Sequence, residues 1–182
     1  MHFAKKDFFT IPNIMGYFRI LLVPVFAALY LRAETTLEYR VAALVLGVSS
    51  LTDMFDGLVA RKFNMITELG KLLDPLADKL THAGVAICLA TRHWQVSILV
   101  VLLFLKEITQ ARYCWVKYKK TGKKLSGAQW YGKLCTAILF VVFVAMIWFP
   151  QMSAAMINGL TGLCAVLIVM AWLMYMNTFR QM

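Results

Sequence analysis

Four aspartates lie within one otherwise largely apolar stretch, residues 53–78, which reads DMFDGLVARKFNMITELGKLLDPLAD. They are Asp53, Asp56, Asp74 and Asp78. The flanking segments are apolar enough to span a membrane, and a carboxylate in the core of a bilayer costs roughly 2.5–3.5 kcal/mol on insertion scales. Four carboxylates so close together need a compensating partner, and the obvious one is a divalent cation.

Helical spacing groups these aspartates into two pairs. If both segments are helical, Asp53 and Asp56 share one face at i, i+3, and Asp74 and Asp78 share another at i, i+4. A helix–turn–helix hairpin would bring the two pairs face to face. Oxygen ligands of this kind suit Mg²⁺, Mn²⁺ or Ca²⁺ rather than zinc, and Mg²⁺ held by carboxylates usually shares its coordination with substrate phosphates. The residues thus predict a metal-assisted phosphoryl-transfer site at a membrane surface.

The same stretch resembles the signature of the CDP-alcohol phosphotransferase family. The resemblance rests on eight residues at fixed spacing, which makes it a specific signal. They form the motif Asp53-x-x-Asp56-Gly57-x-x-Ala60-Arg61, then eight residues, then Gly70-x-x-x-Asp74-x-x-x-Asp78. The alternative interpretation is a hairpin of ion-paired or proton-conducting helices.

The resemblance implies a division of roles within the motif. The four aspartates would bind one or two Mg²⁺ (or Mn²⁺) ions, and Asp78 would also be the catalytic general base on the acceptor hydroxyl. Gly57 and Gly70 would let the backbone approach the nucleotide closely, because glycine has no Cβ. The full set of residues that the resemblance assigns to the CDP-alcohol donor is Asp56, Gly57, Ala60, Arg61 and Gly70.

The acceptor alcohol is indicated by further resemblances. The segment 72–79, LLDPLADK, is most similar to the phosphatidylglycerophosphate and cardiolipin synthase branches of the family, which favours glycerol 3-phosphate as acceptor and CDP-diacylglycerol as donor. Phosphatidylglycerol is the second candidate. The stretch Pro12-Asn13-x-x-Gly16-x-x-Arg19 resembles the family's first-helix motif. Within it, the pair Gly16-Tyr17 is more similar to the inositol branch. The candidate acceptor-binding cations are Lys106, Arg112 and Lys133.

Hydrophobicity predicts an all-α integral membrane protein. Of 182 residues, 61% are hydrophobic, against about 45–50% in soluble domains. We expect one CDP-alcohol phosphotransferase domain over residues 1–182, with a short interfacial segment at 2–12 and six transmembrane helices. The predicted spans are residues 14–31, 39–60, 68–91, 94–113, 128–149 and 152–176.

Charge orients these predicted spans. Eleven of the 19 lysines and arginines fall on one side, five of them in the segment 117–124, and three fall on the other. The positive-inside rule then places both termini and the aspartate hairpin in the cytoplasm, in a multi-pass protein of the cell membrane. The lysine-rich segment is expected to meet anionic lipid, and no nucleic-acid partner is expected. The family resemblance implies a homodimer.

Two other functions remain open from the residues alone. A cation transporter would need acidic residues spread across the bilayer on several helices, whereas these cluster at one end of two helices. A purely structural membrane subunit would leave the cost of four carboxylates unexplained. His82, one turn beyond Asp78, is either a second polar layer of the site or a residue of a helix interface.

Overall fold

The computed structural model describes residues 9–63, 65, 67–121 and 130–181, including their side chains except at 61, 117, 118, 120, 121 and 178–181. Over these residues the chain forms six α-helices. They are α1 (Ile11–Arg32), α2 (Thr36–Lys62), α3 (Gly70–Arg92), α4 (Trp94–Thr121), α5 (Trp130–Trp148) and α6 (Ala154–Gln181). Residues 2–8 of the predicted interfacial segment and residues 122–124 of the lysine-rich segment lie outside the described residues.

Five of the described helices are long and apolar enough to cross a membrane. These are all the helices except α3, whose charged residues Lys71, Asp74, Asp78 and Lys79 crowd its first half. The predicted all-α membrane architecture is therefore supported, but the predicted count of six spans is not confirmed. The same carboxylates that mark the candidate site make α3 the most polar of the predicted spans.

The first of two compact units comprises Met1–Cys88 and Ile147–Pro150. In it α1 packs along α2, and Phe26 and Tyr30 of α1 are almost completely buried, as is Leu46 of α2. The helix α2 begins with a capping box, in which the backbone N–H of Thr35 donates to the carboxylate of Glu38 at 3.0 Å. Such a cap satisfies backbone donors that the first helical turn leaves unpaired.

The start of α3 is fixed to α1 by a short chain of hydrogen bonds. The Nδ2 of Asn13 donates to Oγ1 of Thr67 at 3.0 Å, and that oxygen also accepts from the backbone N–H of Gly70 at 2.9 Å. Thr67 thus satisfies a donor at the N-terminus of α3 while it is bonded to α1. This connection sets where the first turns of α3, with Asp74 and Asp78, lie against α1.

The second unit comprises Leu89–Met146 and Gln151–Met182. In it α4 packs on α6, and Nε2 of Gln95 donates to Oδ1 of Asn158 at 2.9 Å. The side chain of Tyr175 in α6 lies against Gly132 in α5, where an added Cβ would collide with the hydroxyl oxygen of Tyr175 and lie 3.0 Å from two of its ring carbons. A glycine is therefore needed at 132 for this helix pair to approach so closely. The expectation of one domain over residues 1–182 stays a prediction.

Candidate active site

All four aspartates of the motif meet one arginine, Arg19 of α1. Its Nη1 contacts Oδ1 of Asp53 and lies 2.9 Å from Oδ1 of Asp78. Its Nη2 lies 3.2 Å from Oδ2 of Asp56 and 3.6 Å from Oδ1 of Asp74. One guanidinium therefore touches both carboxylate pairs, and the predicted meeting of the two pairs is confirmed by these contacts.

Three helices supply this cluster, each for a local reason. The pair on α2 stands at its C-terminal end and the pair on α3 in its first turns, so the short connection between them places both pairs at the same end of the unit. Arg19 reaches that end because α1 packs against α2 and is bonded to the start of α3 through Asn13. Packing between helices, in addition to spacing within them, brings the five side chains together.

The cluster is buried on one side and accessible on the other. The side chains of Arg19 and Asp56 are 3% and 5% exposed. Those of Asp53, Asp74 and Asp78 are about half exposed. A ligand therefore has access to three of the four carboxylates, while the buried pair of Arg19 and Asp56 forms the floor of the site.

The donor chemistry of this cluster fits a hard divalent cation. Four carboxylates face one positively charged group, and carboxylate oxygen is the ligand type that Mg²⁺ and Mn²⁺ prefer. Oδ2 of Asp56 is buried and has no hydrogen-bond partner in the described part of the chain. Among the described residues, however, no three acidic, His or Cys side chains lie close enough together to hold a single ion. The carboxylates are grouped around the guanidinium instead.

The remaining predicted donor-site residues are only partly described. Gly57 and Ala60 are half-buried on α2, and the side chain of Arg61 lies outside the described residues. At Gly70 a Cβ would lie 2.7 Å from Oδ1 of Asn13 and 3.1 Å from Oγ1 of Thr67. The structure thus gives Gly70 a packing reason to be glycine. Contact of these residues with a nucleotide stays a prediction.

The three candidate acceptor-binding cations belong to the second unit and differ in environment. Lys106 is buried, with 3% of its side chain exposed, and its Nζ lies 3.7 Å from Oε1 of Glu107. Lys106 and Glu107 therefore form an ion pair within α4. Arg112 and Lys133 are exposed. Acceptor binding by these three residues also stays a prediction.

Arg19 and Asn13 belong to the first-helix motif, but no role in the site was predicted for either of them, and His82 keeps its two interpretations. Arg19 carried a signal, since a charged residue within an apolar span is costly and needs a partner. Asn13, buried beside Thr67, carried none beyond its place in the first-helix motif. The Nδ1 of His82 lies 2.8 Å from the carbonyl oxygen of Asp78, which is a contact within its own helix.

Comparison with known proteins identifies the family. The family model described as CDP-alcohol phosphatidyltransferase matches residues 9–179. The chain is 33% identical over 178 residues to proteins named CDP-diacylglycerol–glycerol-3-phosphate 3-phosphatidyltransferase from Shigella flexneri serotype 5b (strain 8401) and Escherichia coli (strain K12). Each match covers 94% of this chain and 96% of the relative. The chain therefore belongs to the CDP-alcohol phosphatidyltransferase family.

Proposed function

We propose that this protein transfers the phosphatidyl group of CDP-diacylglycerol to glycerol 3-phosphate, giving phosphatidylglycerophosphate and CMP. The observation that carries the proposal is the meeting of all four motif aspartates at one accessible cluster. The names of the relatives support the acceptor, because both specify glycerol 3-phosphate. The apolar helices support a place in the membrane, where the lipid donor resides.

The proposed reaction replaces the phosphoanhydride bond of the donor by a phosphodiester bond. The acceptor hydroxyl attacks the phosphorus that carries diacylglycerol, a new P–O bond forms, and the bond from that phosphorus to CMP breaks. Asp78 takes the hydroxyl proton as general base, and its half-exposed side chain can be reached by a substrate. CMP leaves with the electrons of the broken bond.

The proposed metal is Mg²⁺ or Mn²⁺. It would be held by Asp53, Asp56, Asp74 and Asp78. A divalent cation in this position would offset the negative charge of the donor pyrophosphate. The chain's own contribution is to hold four oxygen ligands on two helices at one end of the unit. The proposal is for one or two such ions.

The proposed acceptor site uses cations to hold the phosphate of glycerol 3-phosphate. Lys106 is the strongest of the three candidates, because its buried ammonium lies 3.7 Å from the carboxylate of Glu107 and has three donor hydrogens, more than this one ion pair uses. Arg112 and Lys133 would contribute from exposed positions. Lysine acts on phosphate as a point charge and lacks the bidentate fork of arginine.

The protein is further proposed to be a homodimer in the cell membrane, with the site and both termini facing the cytoplasm. The orientation is supported by the excess of lysine and arginine on the side of the aspartate hairpin. CDP-diacylglycerol would enter from the bilayer, and the water-soluble CMP would leave into the cytoplasm.

The direct test is CMP release by purified protein with CDP-diacylglycerol and Mg²⁺, measured separately with glycerol 3-phosphate, phosphatidylglycerol and inositol. Release with glycerol 3-phosphate alone is the expected result. Release with phosphatidylglycerol alone would identify a cardiolipin synthase, and release with inositol alone an inositol-type enzyme. Either of these would overturn the proposed acceptor.

The variant Asp53→Asn separates the enzyme from a cation transporter. An enzyme loses CMP release when a metal ligand is removed, whereas a transporter reconstituted in vesicles loses ion flux. Glu68→Gln is the matched control, because Glu68 is an exposed carboxylate near the hairpin whose ion pair with Lys71 contributes little. No CMP release by folded wild-type protein with any acceptor would contradict the proposal.

A further inference from the structure

We infer that Arg19 is a built-in cation that holds the four-aspartate cluster together without metal and competes with the divalent cation for it. The inference rests on the proposed role of the four aspartates as metal ligands. It adds a residue to which neither the motif nor the family comparison gives a role. Arg19 is a positioning residue in this account, since it acts through the carboxylates.

The charges of the cluster require such a cation. Four carboxylates and one guanidinium leave three negative charges uncompensated, and like charges at this spacing repel strongly where burial lowers the effective dielectric constant. Arg19 is the cation that the structure shows within 4 Å of every member of the set. Without it, and without metal, the α2 pair and the α3 pair would push each other apart.

The guanidinium of Arg19 makes fewer hydrogen bonds than a purely structural buried ion pair would. Its Nε and Nη2 are buried without a hydrogen-bond partner in the described residues, as is Oδ2 of Asp56. A buried charge that serves stability alone is normally paired and fully hydrogen-bonded, because leaving donors unsatisfied is costly. Arg19 thus has ion-pair contacts to all four carboxylates, with only part of its hydrogen bonds made.

The position of Arg19 makes it a direct competitor for the same oxygens. Its two terminal nitrogens contact one oxygen from each of the four aspartates. The described carboxylates do not form a ready ion site in this arrangement, so binding an ion requires them to close in and the guanidinium to give up contacts. A divalent cation carries twice the charge of the guanidinium and compensates more of the cluster.

Replacing Arg19 should therefore lower the stability of the metal-free protein and raise its affinity for the divalent cation. The metal-free protein becomes less stable, because the four carboxylates then face each other without the guanidinium. The affinity for the divalent cation rises, because the ion no longer displaces a competitor and relieves more repulsion. A residue that only braced the helices would lower stability and would not raise metal affinity.

The test uses full-length protein in detergent, stripped of metal with a chelator. Mn²⁺ binding is followed by electron paramagnetic resonance of the free ion, and unfolding by near-ultraviolet circular dichroism with and without Mn²⁺. The variants are Arg19→Gln and Arg19→Lys, which keeps the charge and loses the fork. The matched control is Arg32→Gln, an exposed arginine at the other end of the same helix.

We expect Arg19→Gln to bind Mn²⁺ at least about tenfold more tightly than wild type, since one unit charge at contact distance is removed from the cluster. Its metal-free unfolding midpoint should fall by several degrees, and Mn²⁺ should restore most of the loss. Arg19→Lys should change both quantities in the same direction and by less. Arg32→Gln should match wild type.

Unchanged or weaker Mn²⁺ binding by both Arg19 variants would overturn the inference. So would variants that stay unfolded whether or not Mn²⁺ is present, because competition requires that the ion take over from the guanidinium. Failure of the proposed function looks different. In that case wild-type protein itself binds no Mn²⁺, or Asp74→Asn binds it as tightly as wild type does.

Discussion

Two sets of residues were predicted from the motifs of one family: the four aspartates of the first unit and the three candidate cations of the second. The two sets differ in their contacts and burial. The aspartates all contact one guanidinium. Of the cations, Lys106 is buried beside Glu107, whereas Arg112 and Lys133 are exposed. The aspartates form one cluster within the first unit, whereas the three cations of the second unit differ in burial and contacts.

The two sets differ in how strongly their spacing along the chain constrains where the side chains lie. Two aspartates three or four residues apart must share a helix face, and a short hairpin leaves little freedom in how two such faces meet. The cations lie on two different helices with residues 122–129, outside the described part, between them. Spacing along the chain therefore constrains the carboxylates strongly and the cations weakly.

The largest expected effect is at the cluster, in the variant Asp78→Asn. If Asp78 is the general base, CMP release should fall by about 10²–10⁴-fold, the range for losing such a group. The measurement is CMP release at saturating CDP-diacylglycerol and glycerol 3-phosphate. Glu68→Gln should stay close to wild type. Near-normal CMP release by folded Asp78→Asn would contradict the role of Asp78 as general base.

The next effect in size is expected for the variant Lys106→Met, which keeps the length of the side chain and removes its charge. If Lys106 binds the acceptor phosphate, the KM for glycerol 3-phosphate should rise about tenfold or more, as expected for a lost charged contact of roughly 1.5–3 kcal/mol. The KM for CDP-diacylglycerol should change little.

Two controls accompany Lys106→Met. The variant Lys119→Met removes an exposed lysine of the same helix, which lies over the ring of Trp115, and should leave both KM values unchanged. The variant Glu107→Gln removes the partner of Lys106. Equal effects of Glu107→Gln and Lys106→Met on stability, with no change in either KM, would make the ion pair structural.

Stability should distinguish a tight helix contact from an open one. In Gly132→Ala the new methyl group meets the ring of Tyr175, and overpacking of this kind costs typically 1–3 kcal/mol. In Gly47→Ala no described atom lies within 4 Å of the added Cβ, so the higher helix propensity of alanine should leave stability unchanged or slightly raised. Thermal unfolding in detergent compares them, and equal midpoints would contradict the packing described for Tyr175.

A smaller effect is expected for Gly70→Ala. The added Cβ meets Oδ1 of Asn13, a side-chain end that can shift more easily than a ring. We expect a loss of about 1 kcal/mol, at the low end of the overpacking range, together with weaker Mn²⁺ binding, because the start of α3 carries Asp74. Unaltered Mn²⁺ binding and stability would show that the contacts of Asn13 do not position α3.

The sequence predicted the helices and the carboxylate pairs well, because both follow from local periodicity. The predicted span at 39–60 lies inside α2 (Thr36–Lys62), and the span at 94–113 starts with α4 but ends well before its last residue. The count of six spans is not confirmed. The second half of α3 is apolar enough for a span, but the four charged residues in its first half lower the hydropathy of the whole helix.

What the sequence did not reveal depends on contacts between distant residues. Arg19 and Asp53 are 34 residues apart, and Asn13 and Thr67 are 54 apart. No periodicity within a helix reports such pairs. The charge of Arg19 in an apolar span signalled that it needs a partner, but only the packing of α1 shows that its partners are the motif aspartates. Likewise, Asn13 gives Gly70 a reason for being glycine that the motif alone attributed to a nucleotide.

The dependence of phosphatidyl transfer on metal can be measured as CMP release by wild-type protein before and after removal of divalent cations. With CDP-diacylglycerol and glycerol 3-phosphate, we expect release in Mg²⁺, its loss after chelation, and full recovery when Mg²⁺ is returned. Four clustered carboxylates would then be metal ligands in the transfer of a phosphatidyl group. Undiminished release in chelated, metal-free buffer would contradict the account.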